Sequence, residues 1–189
     1  MLKKCAVMAA LALALSPVAA QADWLFTPSI GTGFGGVAEG RSHLTYGASI
    51  GWMGEGIFGW EADLAYTPEF FEPDDDDLDL VENSNVVSFM ANAIVGVPIG
   101  GTTGKGFRPF VSGGLGLMQL NVENADSLFD VDSNEFGINL GAGAMGFMTD
   151  NVGFRGDIRY YRALTDVEER VDLADFDFWR GTVGVTFRW

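Results

Sequence analysis

The sequence predicts an all-β fold, an eight-stranded antiparallel up-and-down transmembrane β-barrel. Apolar residues recur at every second position in eight segments, and the connections between these segments alternate between short and long. After residue 22 no apolar run is long enough for a membrane helix, although 48% of the residues are hydrophobic. A barrel explains this combination, because its apolar residues point to lipid at every second position and never form a continuous run.

Residues 1–22 are predicted to be a cleaved signal peptide, which leaves 23–189 as the barrel domain. Lys3 and Lys4 form a positive start, and a short apolar run follows them. The run ends in Ala20-Gln21-Ala22, which has the pattern of small residues that signal peptidase cleaves. We therefore expect the mature chain to begin directly after this tripeptide.

Cleavage changes the charge and the cysteine content of the chain. Cys5 is the single cysteine and leaves with the signal peptide, so neither a disulfide nor thiolate chemistry is expected. The remaining chain has 9 basic and 26 acidic residues, a net charge of −17. Such a chain repels nucleic acid, which is excluded as a partner.

The C-terminal segment shows the alternation most clearly. One face carries Trp179, Gly181, Val183, Val185, Phe187 and Trp189, and the other carries Arg180, Thr182, Gly184, Thr186 and Arg188. Similar patterns predict seven earlier strands, at 24–34, 44–52, 57–66, 86–97, 107–118, 135–148 and 152–161. An even number of strands places both termini at the periplasmic end. Because Pro28 cannot donate to a ladder, we expect a bulge or irregularity there.

The connections predict which end of the barrel faces outward. Met53–Gly56 and Thr149–Asn151 are tight turns, and Pro98–Gly106 is a longer, Gly-rich turn; all three are predicted to be periplasmic. The long ones, predicted to be extracellular, are Gly35–Ser42, Thr67–Ser84, Asn121–Asn134 and Ala163–Phe176. Aromatic residues near strand ends fit the two girdles at the lipid interfaces, and they are Trp24, Trp52, Trp60, Trp179 and Trp189.

Eight charged residues fall on the inward face of the predicted strands. They are Glu61, Asp63, Arg108, Arg155, Asp157, Arg159, Arg180 and Arg188. Paired carboxylates can serve acid–base catalysis. An eight-stranded barrel, however, has room inside only for its own side chains, and charges enclosed there need partners. We therefore interpret this set as a structural lattice of charges in the barrel interior.

Several motifs resemble the small outer-membrane β-barrel proteins related to the OmpA/OmpX barrel domain. They are Asn92–Pro98, Arg108–Gly116, Gly141–Gly143 and Asp150–Tyr160, and the resemblance covers essentially all of 23–189. Val185, Phe187 and Trp189 look like the assembly signal of that class, with Trp at the end where Phe is commoner. The resemblance implies the outer membrane of a Gram-negative bacterium, with its lipid and lipopolysaccharide and the barrel-assembly machinery as partners. No appended peptidoglycan-binding domain is expected.

The sequence leaves several functions open. We favour a non-enzymatic barrel with a structural or surface-interaction role. The alternatives are a narrow channel, a soluble ligand-binding barrel, which the inward charges oppose, and an enzyme that modifies lipid A through His43. His43 is the only histidine and is expected at the outer rim, beside Ser42 and near Glu39. No second motif supports catalysis, and a lone rim histidine is more often a surface residue.

Two patterns suggest ligands. Gly31–Gly36 and Gly141–Gly146 match G-x-G-x-x-G, but no helix follows either, so no nucleotide or other cofactor is expected. The candidate metal ligands are Asp74, Asp75, Asp76, Asp77 and Asp79. They lack the spacing of an EF-hand, so no defined metal site is predicted. This acidic segment is expected to bind divalent cations weakly, to meet a basic surface partner, or only to be solvated.

Overall fold

The computed structural model describes residues 23–36, 43–54, 57–68, 81–100, 104–124, 131–164 and 177–189. Its strands are β1 (Asp23–Phe34), β2 (His43–Met53), β3 (Phe58–Pro68), β4 (Val81–Gly96), β5 (Gly106–Asn124), β6 (Val131–Phe147), β7 (Val152–Ala163) and β8 (Asp177–Arg188). They pair in sequence order, all antiparallel, and β8 closes on β1. The predicted eight-stranded antiparallel barrel is confirmed. The described ranges contain no helix long and apolar enough to span a membrane.

The strands are staggered around the barrel. A path of cross-strand partners that begins at Trp24 returns to β1 at Phe34, ten residues further along the chain. The path runs through Trp52, Trp60, Ala93, Gly113, Leu140, Tyr160 and Trp179. A stagger larger than the number of strands requires strongly tilted strands, and it fixes which inward side chains meet across the barrel.

The two faces of the wall differ as the alternation predicts. Every strand exposes large apolar side chains on its outer face, such as Ile30, Leu64, Leu140 and Val183, which are 50–67% exposed. Inward residues are mostly buried, and they include charged residues as well as apolar ones. An apolar belt of this extent on every strand matches a wall that lipid surrounds.

Strands β4, β5 and β6 are longer than predicted. The sequence predicted 86–97, 107–118 and 135–148, whereas cross-strand pairs extend outward to Val81, Asn124 and Val131. The predicted ends were wrong because they followed the apolar alternation. Backbone hydrogen bonds between strands need no apolar side chain, so the ladder continues where the sequence becomes polar.

Pro28 interrupts the pairing of β1 with β8 but causes no β-bulge. The register between β1 and β8 is the same on both sides of it, from Phe26 with Phe187 to Ser29 with Gly184. The two strands lack assigned pairs at Thr27 and Pro28, as expected where a proline has no N–H to donate. The pairing of β1 with β2 continues through this point without a shift.

The interior has three layers. An apolar cluster lies at the end near Asp23 and Trp189, predicted to be periplasmic and called the periplasmic end below. It consists of Leu25, Met53, Ile94, Phe110, Met145 and Phe147. A second cluster toward the outer end consists of Val86, Met90, Met118, Tyr161, Ala163 and Phe178. Charged and polar side chains fill the middle. The alternation did not predict these apolar layers, because apolar residues were all assigned to the outer face.

Candidate functional site

The middle layer of the barrel holds six buried charged side chains. Glu61 and Asp63 come from β3, Arg155, Asp157 and Arg159 from β7, and Arg180 from β8. Within β3 and β7 they occupy every second position, so the pleat turns all of them inward. Because β3 and β7 are four strands apart in a barrel of eight, their side chains meet across the interior.

Glu61 lies between two arginines of the opposite wall. Arg155 donates to both oxygens of Glu61, and Arg159 Nη2 donates to Glu61 Oε1 at 2.7 Å. Asp157 lies between the same two arginines, with Arg155 Nε at 2.8 Å and Arg159 Nε at 2.9 Å. Each carboxylate therefore accepts charge-assisted hydrogen bonds from two guanidinium groups.

Asp63 and Arg180 form a separate ion pair in the same layer. Arg180 Nη2 donates to Asp63 Oδ1, and Arg180 Nη1 donates to Ser88 Oγ at 3.1 Å. The guanidinium of Arg180 also lies 4.6 Å from the centre of the Tyr161 ring. This cation–π contact stabilises the buried guanidinium, which has few hydrogen-bond partners.

Neutral amides extend the site to further strands. Asn92 Nδ2 lies 3.4 Å from Glu61 Oε1, and Asn139 Nδ2 donates to Asn92 Oδ1 at 2.7 Å. Ser88 and Asn92 were not among the site residues predicted from the sequence. On β4, Ser88 lies between the outward residues Val87 and Phe89, and Asn92 lies between Ala91 and Ala93. That alternation is the signal that would have identified both.

The charges of the middle layer balance. Three carboxylates face three arginines, and all six side chains are almost fully buried. An unpaired charge at this depth is very costly, so exact pairing is what a stable interior requires. Carboxylates held by arginines in this way are poor proton donors and acceptors for a reaction.

The two remaining arginines of the predicted lattice lie apart, at the periplasmic end. Arg188 Nε donates to the carbonyl of Asp150 at 2.6 Å, and its guanidinium lies 4.2 Å from the Phe147 ring. It also forms an ion pair with Asp23 at 3.7 Å. Arg108 Nη1 lies 3.4 Å from the sulfur of Met53. The eight predicted charges therefore form two groups. Three acids and three arginines share the middle layer, and the two surplus arginines, Arg108 and Arg188, lie outside it.

Inward glycines provide the space for these large side chains. Four of them are cross-strand partners of a charged residue, as Gly51 with Glu61, Gly141 with Arg159, Gly143 with Asp157 and Gly184 with Arg155. At each of these positions a Cβ would come too close to neighbouring backbone or side-chain atoms. The interior of a narrow barrel has room for a long side chain where its cross-strand partner is a glycine.

The other candidate residues lie elsewhere. His43 begins β2 and points into the barrel, with 9% of its surface exposed, so it is not the surface residue that was expected. Ser42, Glu39 and the acidic cluster from Asp74 to Asp79 lie outside the described residues. In the described ranges no three His, Cys, Asp or Glu side chains come together as a metal site.

The predicted assembly residues lie on the last strand. Val185 and Phe187 are on the outer face of β8. Trp189 exchanges two backbone hydrogen bonds with Trp24, of 2.9 and 3.1 Å. The last residue of the chain thus pairs with β1 at the seam where the barrel closes.

Known structures share this architecture. The N-terminal β-barrel domain of Pseudomonas aeruginosa OprF is 23% identical, with a TM-score of 0.58 over 89% of this chain and 100% of that one. Neisserial surface protein A is 14% identical, with a TM-score of 0.60 over 89% and 97%. Ail of Yersinia pestis, in complex with the heparin analogue sucrose octasulfate, is 10% identical, with a TM-score of 0.54 over 90% and 99%.

The sequence comparison gives the family. A search of curated proteins found no significant match. The family described as Outer membrane protein beta-barrel domain matches residues 8–187, nearly the whole chain. The closed eight-stranded wall, its apolar outer face and this match agree with the resemblance seen in the sequence. The chain belongs to the outer membrane protein beta-barrel domain family and is located in the outer membrane of a Gram-negative bacterium.

Proposed function

We propose that this protein is a non-enzymatic barrel that anchors acidic extracellular segments in the outer membrane and acts through structure and surface contact. The observation that carries the proposal is the filled interior. A charge-balanced layer lies between two apolar clusters, and all three are made of buried side chains. A barrel filled in this way serves as a support for its extracellular segments, where binding functions of such scaffolds usually lie.

The position of His43 argues against the alternative of a lipid A-modifying enzyme. A catalytic histidine that acts on lipid needs an imidazole that lipid can reach. His43 points inward, with Thr45 two residues further along the same inward face of β2. The carboxylates of the middle layer are committed to arginines, so they do not offer a general base in its place.

The chemistry of the extracellular segments indicates the kind of surface partner. Residues 69–80, 125–130 and 165–176 contain fourteen acids and one base, and the densest acidic run is Asp74–Asp77. Charge complementarity favours basic groups or divalent cations. The polyanionic sugar seen with Ail is a ligand of the opposite kind, so we do not extend it to this chain.

The proposal is tested by deletion and complementation in the native bacterium. Cells without the protein should keep the same lipid A mass spectrum and become more sensitive to detergent. The wild type and His43→Ala should restore resistance equally. A lipid A species that disappears on deletion, and again with His43→Ala, would show an enzyme and contradict the proposal.

A second variant separates anchoring from surface contact. Replacing Asp74, Asp75, Asp76 and Asp77 by Asn should leave the amount of folded barrel unchanged, because none of the eight described strands contains these residues. Binding of a polylysine probe to intact cells should fall. Unchanged probe binding at equal protein levels would argue against a role of the acidic segments in surface contact.

A further inference from the structure

A small polar cavity lies inside the middle layer. Its volume is about 10 Å³, and it is lined by residues of β1, β2, β3, β7 and β8. Ser49, Asp63 and Arg159 are among the polar residues that line it. A polar space of roughly 10–15 Å³ is the least that holds one water molecule.

A gap in the ion network lies at the same place. Arg159 Nη1 and Asp63 Oδ1 are 3.8 Å apart, too far for a hydrogen bond. Among the described residues, Arg159 Nη1 is buried and has no hydrogen-bond partner. Two polar groups that lie this far apart beside a polar cavity are typically bridged by a water molecule.

The gap also separates the network into two parts. Glu61, Arg155, Asp157 and Arg159 are linked by direct hydrogen bonds. Asp63 is bonded to Arg180 instead. Asp63 and Arg159, at 3.8 Å, are the point where these two groups approach each other.

We propose that the cavity binds a single water molecule, which accepts a hydrogen bond from Arg159 Nη1 and donates one to Asp63. The surrounding network contains three carboxylates and three guanidinium groups, so a neutral ligand leaves it balanced and an ion does not. The apolar clusters on both sides separate the site from either end of the barrel. The water is therefore an isolated part of the structure and exchanges slowly.

Two variants at Ser49 test the site in solution. Ser49 lines the cavity and is the cross-strand partner of Asp63. Ser49→Val fills the space and removes a hydroxyl, whereas Ser49→Ala enlarges it. In the barrel folded in detergent, we expect NMR cross-peaks between water and the Arg159 guanidinium in the wild type and in Ser49→Ala, and their loss in Ser49→Val. Absence of the cross-peaks in the wild type would overturn the proposal.

A crystal structure of the unaltered protein gives a second test that does not depend on the variants folding. One water should lie within hydrogen-bond distance of both Arg159 Nη1 and Asp63. A direct Arg159–Asp63 hydrogen bond across a closed cavity would overturn the proposal. So would an anomalous signal in the cavity after soaking with rubidium bromide, because it would identify an ion site.

Discussion

Arg159 of β7 and Gly141 of β6 are cross-strand partners, and the arginine occupies the space that a side chain at position 141 would need. A Cβ on Gly141 would lie 2.6 Å from Arg159 Cγ and 2.5 Å from the carbonyl oxygen of Ile158. The second contact is with backbone, which cannot move without disturbing the β6–β7 ladder. Because Gly141 of β6 has no side chain, the Arg159 side chain of β7 can lie in the space beside it.

Gly141→Ala should therefore destabilise the folded barrel by about 1–3 kcal/mol, the usual range for overpacking a closed interior. Urea unfolding of the barrel in detergent, followed by tryptophan fluorescence, measures this change. Gly146→Ala is the matched control, since a Cβ on Gly146 of the same strand meets no atom within 4 Å. Equal stability of the two variants would show that the wall adapts to the extra methyl group.

The sequence predicted the wall better than the interior, and the physical reason is the range of the interactions involved. Alternation is local, so it identified the strands and the inward charges. Glu61 meets Arg155 and Arg159 across sequence separations of 94 and 98 residues, and the stagger that brings them together is not local. Met90 and Ile94 were missed because inward positions were expected to be polar.

Glu61→Ala should be one of the most damaging substitutions in this chain. It leaves Arg155 and Arg159 buried without their shared carboxylate, a change that costs about 3–5 kcal/mol in comparable buried pairs. The expected result is a lower urea midpoint, or loss of the folded form in electrophoresis of unheated samples. Asp150→Asn, at an exposed acid of the periplasmic turn, is the control and should change stability by less than about 0.5 kcal/mol. A Glu61→Ala barrel as stable as this control would contradict the paired network.

Deletion of Trp189 should reduce the amount of folded barrel in the outer membrane. It removes the two backbone hydrogen bonds to Trp24 at the β1–β8 seam, together with the terminal aromatic residue. Trp189→Phe keeps both features and should assemble normally. Outer-membrane fractions compared by heat-modifiable electrophoresis provide the measurement, and normal folded levels after the deletion would refute an assembly role for this residue.

The protein extracted from the membrane should begin at Asp23. The Ala20-Gln21-Ala22 tripeptide predicts cleavage there, and β1 begins at the same residue. N-terminal sequencing or intact mass measurement decides the point. Ala22→Asp should block cleavage, because the site requires a small residue, and the longer precursor should accumulate. A wild-type protein that still carries Met1 would disprove the prediction.

The purified barrel should conduct little or no current in planar bilayers. Ions would have to pass the periplasmic cluster around Met53 and Met145 and the outer cluster around Met90 and Met118, and these four side chains are at most 1% exposed. Between the clusters, the buried carboxylates and arginines are paired with one another, so they offer no binding sites to passing ions. A double variant, Met90→Gly with Met118→Gly, opens the outer cluster alone and should still not conduct, because the remaining layers are intact. Stable, reproducible current through the wild type would show that the interior opens, and the narrow-channel alternative would then replace the proposed structural role.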